Sequence, residues 1–302
     1  MDSIHSTNDA QTANAANTAN AESAVLDQSI GEIISKSKTL SPDQIRQIIT
    51  HQEQTGLRFG EAAVALNFVT TDDVLFALAQ QFHYPFSPVD KQKLNPEIVT
   101  AAQPFSKQAE AFRAIRGQLL IRAFADVNAR RALAVISPNN GDGKTFFCAN
   151  IAVALSQLGG RVLLIDADMR GPRQHEVFGI ANSTGLSGLL SGRTSAHPIV
   201  TVPDLPSLFL LPGGAIPPNP IELVERPAFS LIMRELVSKF DYVIVDTPAA
   251  MYGSDSSALA IKCGAALCVA RNGNSTIKGI QDLIATMSAG SVNIAGVIMN
   301  EY

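Results

Sequence analysis

A chain of 302 residues has room for one large domain and a small one. Its charged residues amount to 17% and its formal net charge is −4, which argues against general nucleic-acid binding, where concentrated basic surface is required. Cys148, Cys263 and Cys268 are odd in number and have no CxxC or His/Cys company, which points to buried thiols rather than disulfides or a metal cluster. There is no basic-then-apolar leader and no run near the ~20 apolar residues of a membrane span, so a cytoplasmic chain that reaches a membrane only through a partner is expected.

In chain order, residues 1–27 are Ala, Asn, Thr, Ser and Gln with nothing to build a core, and disorder is expected there. Residues 29–56 and 58–85 read as a repeat at an offset of 29: Gly31-Glu32 matches Gly60-Glu61, Asp43 matches Asp72, Ile45 matches Val74 and Gln52 matches Gln81. Each copy predicts a short helix, a turn and a second helix. Ser41-Pro42-Asp43-Gln44 is a capping box with proline at the first helical position, and Thr70 to Asp73 repeats the device. Apolar residues at 45, 48 and 49, and at 74, 77 and 78, give each second helix a stripe to bury, so 28–86 is expected to be a small all-helical domain.

Prolines at 88, 96 and 104 mark 87–104 as a linker. A helix over 106–125, capped by Ser106, carries Glu110, Arg113 and Arg116 on one face, a solvated charge run by default, with Phe112, Ile115, Leu119 and Leu120 opposite. From 132 the pattern alternates. Strands are predicted at 132–137, 161–165, 207–211, 242–246, 265–270 and 293–299, and helices at 144–158, 220–239, 255–262 and 276–288. The strands are apolar throughout rather than alternating, as in a sheet covered on both faces. Residues 105–302 are therefore expected to form a doubly wound, mostly parallel α/β domain that binds ligand beyond the carboxyl ends of its strands.

The chemistry gathers at those ends. LAVISPNNGDGKT over 133–145 is a strand feeding a phosphate loop whose opening glycine is replaced by Pro138. Such a loop aims backbone N–H groups and a helix N-terminus at an anion. Asn140, Gly141, Asp142, Gly143, Lys144, Thr145 and Phe146 are the expected nucleotide contacts, with Lys144 reaching the β- and γ-phosphates and Thr145 ligating Mg²⁺. VLLIDADMRGP over 162–172 puts Asp166 at a strand end and Asp168 two residues on. Asp166 is the first choice for orienting or deprotonating an acceptor, and Asp168 the second. Arg170 either neutralises phosphate or pairs with an aspartate across a subunit boundary. YVIVDTP over 242–248 puts Asp246 where a magnesium-facing aspartate belongs, in contact through water. ATP with Mg²⁺, held by Thr145, Asp166 and Asp246, is the expected cofactor pair, and Lys144, Asp166 and Asp168 are the expected catalytic residues.

As a set these motifs resemble the bacterial tyrosine kinases. The loop SPNNGDGKT, with Asn140 at the family's usual proline, resembles their phosphate loop, and VLLIDADMRGP and DYVIVDTP resemble their second and third nucleotide motifs. Glu110, Arg113 and Arg116 match the ExxRxxR motif that mediates ring-like self-assembly in relatives. Leu211-Pro-Gly-Gly, followed by Pro217-Pro-Asn-Pro-Ile-Glu222-Leu, matches the family's proline-rich segment. The whole chain resembles the chain-length-determinant tyrosine kinases of exopolysaccharide clusters, the EpsG type. The resemblance implies tyrosine autophosphorylation, control of polysaccharide polymerisation and export, a homo-oligomer, and activation by an integral inner-membrane co-polymerase. Relatives end in a tyrosine cluster. Here Tyr302 stands alone at the end and is the candidate phosphoacceptor. The helical domain resembles the N-terminal domain of type II secretion and pilus ATPases. A cyclic di-GMP site of the kind some of those carry would run through Arg58-Phe-Gly60, Val69, Val74 and Gln81. Asn67 replaces the expected glycine and Ser29 the first copy's arginine, so protein docking is the expected role. The rival MinD/ParA ATPases carry a lysine five positions before the phosphate lysine, where this chain has Asn139. A second rival is a nucleotide-gated assembly module with little catalysis.

Overall fold

The computed structural model describes residues 30–81, 95–126, 130–193 and 198–301. The disorder expected over 1–27, the first part of the expected linker and Tyr302 lie outside them. The chain divides into two compact units, residues 1–88 and 89–302.

Among the described residues the first unit holds four helices: α1 (Ile30–Ser37), α2 (Pro42–Thr55), α3 (Phe59–Ala65) and α4 (Thr71–Gln81). Both predicted start signals operate. The Ser41 hydroxyl accepts from the Gln44 N–H while Gln44 Oε1 accepts from the Ser41 N–H, and Thr70 and Asp73 exchange the same pair of bonds. Ile33, Ile34, Ile48, Ala62, Ala63, Val69 and Ala77 form the core. The α2 stripe is narrower than its spacing suggested: Ile48 is buried, but Ile49 is 43% exposed. Gly60 is a packing requirement, because a Cβ there would meet Val74 Cγ1 at 2.6 Å.

In the second unit the expected linker is partly structural. Residues 98–102 include α5 (Val99–Ala102), and Ile98 and Val99 are buried in the main core. Next comes α6 (Lys107–Arg122), capped by Ser106 as predicted, with the Ser106 hydroxyl accepting from the Ala109 N–H. The elements that follow are β1 (Ala132–Ile136), α7 (Lys144–Ser156), β2 (Val162–Asp166), α8 (Gln174–Val177), α9 (Leu186–Leu190), β3 (Val200–Thr201), β4 (Leu208–Leu211), α10 (Pro220–Glu225), α11 (Pro227–Lys239), β5 (Tyr242–Asp246), α12 (Asp255–Cys263), β6 (Gly264–Arg271), α13 (Ile277–Ala289) and β7 (Asn293–Asn300). The strands form one sheet in the order β3-β4-β2-β5-β1-β6-β7, parallel except for the β3–β4 pair. Side chains alternate across it. Leu133 and Val135 enter one core, and Ala132, Ala134 and Ile136 enter the other, which is why the strands read as unbroken apolar runs.

Two readings are corrected. The single helix expected over 220–239 is two, because Pro227 forces Arg226 out of the helical region to φ −59, ψ 145. The short antiparallel edge strand β3 and the short helices α8 and α9 were not predicted; two to five residues carry too little periodicity to register.

Candidate nucleotide site

The switch in strand order falls between β1 and its neighbours, and the carboxyl ends of β1, β2 and β5 meet there. The loop from Ser137 to Gly143 runs out of β1 and opens α7. Gly143 caps that helix at φ 99, a left-handed conformation, and a Cβ on it would lie 2.3 Å from Asn300 Nδ2. The loop is latched from three sides. Asn274 Nδ2 donates to Asp142 Oδ1 at 2.7 Å and to the Asn140 carbonyl at 3.2 Å. Arg271 donates to the Gly141 carbonyl at 3.1 Å, and Asn300 to the Asp142 carbonyl at 3.1 Å. Inside the loop, Asp142 Oδ2 accepts from the Asn139 N–H at 2.9 Å. Lys144 is buried, its ammonium donating to Ser137 Oγ at 3.0 Å.

Asp166 and Asp246 are register partners on adjacent strands, both buried. Asp166 Oδ2 accepts from the N–H groups of Arg173 and Gln174, each at 2.9 Å. Asp246 Oδ2 accepts from Gln174 Nε2 at 2.9 Å. The other oxygen of each, Oδ1, has no partner, and neither has Gln174 Oε1. Burial first, then the neighbouring Asp246 charge, pushes Asp166 well above the ordinary carboxylate range. Burial also raises Asp246, against the pull of Lys144 and of hydrogen bonds from Gln174 and Thr145. Two buried carboxylates with one open oxygen each, beside the Thr145 hydroxyl, are the donor set a hard divalent cation requires. No three His, Cys, Asp or Glu side chains converge on one point among the described residues, so the remaining ligands would come from phosphate and water. The residues fit Mg²⁺ carried by a nucleotide.

Comparison with known proteins agrees with this geometry. Residues 133–302 match the CobQ/CobB/MinD/ParA nucleotide-binding domain family. The chain is 32% identical to the putative tyrosine-protein kinase CapB of Staphylococcus aureus, covering 66% of this chain and 86% of CapB. The chain belongs to the bacterial tyrosine-kinase family. It is also 32% identical to the tyrosine-protein kinase wzc of Salmonella typhimurium over 70% of this chain, but spans only 29% of that longer relative. The kinase domain of the Escherichia coli tyrosine kinase ETK superposes with a TM-score of 0.64 at 30% identity, over 67% of this chain and 79% of that one.

Within this member of the family, the residues expected at the site fall as follows. Asn140 to Phe146, Asp166 and Asp246 come together at the strand ends. Asp168 is half-exposed on the loop after β2, where Oδ1 accepts from the Arg170 and Gly171 N–H groups. Arg170 finds its aspartate within the same chain: Nε and Nη2 grip Asp255 at 2.7 and 3.2 Å. Glu110, Arg113 and Arg116 lie away from the site on α6, where Arg113 pairs with Glu110 at 2.8 Å and Arg116 donates to the Ala154 carbonyl at 2.6 Å. Sequence reading missed Gln174, Asp255, Asn274 and Asn300. Gln174 stands in no nucleotide motif, and the asparagines act on the loop from far along the chain, Asn274 from the turn after β6 and Asn300 from the end of β7. All three cysteines are free and buried, as expected. No helix is long and apolar enough to cross a membrane among the described residues.

Proposed function

We propose that this chain is an ATP-dependent protein-tyrosine kinase that phosphorylates copies of itself and thereby regulates exopolysaccharide chain length and export. One observation carries the reading: the paired open oxygens of Asp166 and Asp246 beside the Lys144-Thr145 end of the loop. The loop amides and the α7 N-terminus would hold the phosphates, and Lys144 would leave Ser137 to neutralise charge gathering on the γ-phosphoryl. Thr145, Asp246 and Asp166 would hold Mg²⁺, which when bound would supply positive charge to the phosphate groups. Asp166, whose carboxyl burial pushes up, would accept the tyrosine O–H proton as the phosphoryl group passes from ATP to that oxygen and ADP leaves. Asp168, nearer solvent, would help orient the incoming hydroxyl.

Tyr302 of a neighbouring copy is the proposed acceptor, with Glu110, Arg113 and Arg116 as the assembly face. An integral inner-membrane co-polymerase is the proposed activator, and the helical unit is the proposed docking module. The test is mass spectrometry after incubation with ATP, Mg²⁺ and the cytoplasmic segment of the co-polymerase. Phosphotyrosine that disappears in Lys144→Ala is expected. Its absence from the wild type, with Lys144→Ala reducing only ATP hydrolysis, would leave an assembly ATPase instead.

A further inference from the structure

At the opposite pole of the sheet, where the strands begin, lies an open cavity of about 500 Å³. It is lined by Arg130 and Arg131 just before β1, by Ser230 and Arg234 of α11, and by Lys262 and Cys263 at the end of α12. Four cations surround it and no carboxylate does, in a chain whose net charge is −4. Their charge is poorly compensated. Arg130 reaches Asp241 only at 4.0 Å. Lys262 Nζ bonds the Ser230 hydroxyl at 3.1 Å, and Arg234 Nε bonds the Ser230 carbonyl at 3.3 Å, both neutral acceptors. Arg131 has no hydrogen-bond or ion-pair partner among the described residues, and its stem lies along Gly264. The Cys263 thiol, pushed up to about 12 by burial, adds no negative charge. Met233, Val237 and Ala132 supply an apolar floor.

We propose that this cavity is an anion site, separate from the nucleotide site, that takes a phosphate-bearing ligand. Arginine forks suit phosphate oxygens, and an ammonium and a hydroxyl can complete the set. The cavity exceeds a bare phosphate, so the remainder of the ligand rests on the apolar floor. The same chemistry is presented by a soluble diphosphate compound and by an acidic phospholipid headgroup.

The experiment uses the full chain with its nucleotide site saturated by a non-hydrolysable ATP analogue and Mg²⁺. Inorganic pyrophosphate is titrated calorimetrically, and sedimentation is measured with vesicles of phosphatidylglycerol in phosphatidylcholine against phosphatidylcholine alone. Two variants are compared: Arg131→Ser with Arg234→Ser, and a charge-matched control, Arg46→Ser with Lys107→Ser. Binding of pyrophosphate, of acidic vesicles or of both, weakened at least about tenfold by the first variant and not by the control, is expected. Pyrophosphate alone identifies a soluble ligand, and vesicle binding identifies a headgroup. Absence of both, or equal weakening by the control, overturns the site. Retained analogue binding by the first variant shows that its fold is intact. Failure of the analogue to bind the wild type would count against the kinase reading, and the titration on the ligand-free chain would still decide this one.

Discussion

Asp166→Asn should make the metal-free protein more stable while abolishing its response to Mg²⁺-ATP. In the wild type, Asp166 is buried with one oxygen satisfied by two N–H groups and the other by nothing, next to a second buried carboxylate. Asparagine keeps the acceptor for both N–H groups and replaces the orphan oxygen with a donor beside the Asp246 charge. An unsatisfied buried polar group costs about 1–3 kcal/mol, and more if charged. Recovering about 2 kcal/mol in a unit of this size corresponds to roughly 4–8 °C in Tm. The pH dependence has a definite sign. Because the folded-state value of Asp166 is raised, the folded chain holds more protons than the unfolded one between the ordinary carboxylate range and that raised value. Metal-free stability is therefore greatest on the acid side of this window and falls as pH climbs through it. The substitution should flatten that fall. Thermal unfolding by circular dichroism from pH 5 to pH 8, with and without Mg²⁺-ATP, reads both effects. A metal-free Tm at or below that of the wild type, with the Mg²⁺-ATP shift preserved, would refute the assignment of Asp166 as an open, cation-seeking carboxylate.

Gln174→Leu removes the donor to Asp246 Oδ2 and to the Thr145 carbonyl, so the urea midpoint should fall by the equivalent of about 2 kcal/mol with the m-value unchanged. The triple variant Glu110→Ala, Arg113→Ala, Arg116→Ala should lose oligomers in native mass spectrometry, and unchanged assembly would reject that face. Cys263 and Cys268, both raised to about 12, should resist iodoacetamide at pH 8 in the folded chain and react once urea unfolds it.

The parts of the fold that announced themselves were those with long or chemically explicit signals. Unbroken apolar runs gave the parallel strands, and Ser41 and Ser106 gave the helix starts, because a cap is a local bond between residues close in sequence. Pro227 was an equally local signal for the break between α10 and α11. The site divided along the same line. The loop, Asp166 and Asp246 sit in contiguous motifs, whereas Asn274 and Asn300 reach the loop across more than a hundred residues of chain, a separation that no spacing rule reports. Arg170 has a partner 85 residues away in the same chain, so its aspartate is found only once β2 and α12 are placed.

The charged face of α6 is joined mechanically to the phosphate loop. Phe112 packs on Phe146 and Phe147 in the first turn of α7, with ring centroids at 5.9 and 5.7 Å. Asn150, midway along α7, bonds Thr100 and the Glu97 carbonyl, and Arg116 covers the Ala154 carbonyl near the end of α7. The helix whose N-terminus caps the loop is thus held at its start, middle and end by residues 97–116. The members of the Glu110, Arg113, Arg116 set differ in what they would lose to a second copy. The Glu110 side chain is 71% exposed, and its pair with Arg113 is a surface ion pair worth about 0–1 kcal/mol. The Arg116 bond to Ala154 is charge-assisted, partly buried and at a helix C-terminus, a class worth about 1.5–3 kcal/mol. Contact between copies through this face would therefore recruit Glu110 first and leave Arg116 seated, so that force applied at the surface of α6 is passed to the helix that opens at Gly143.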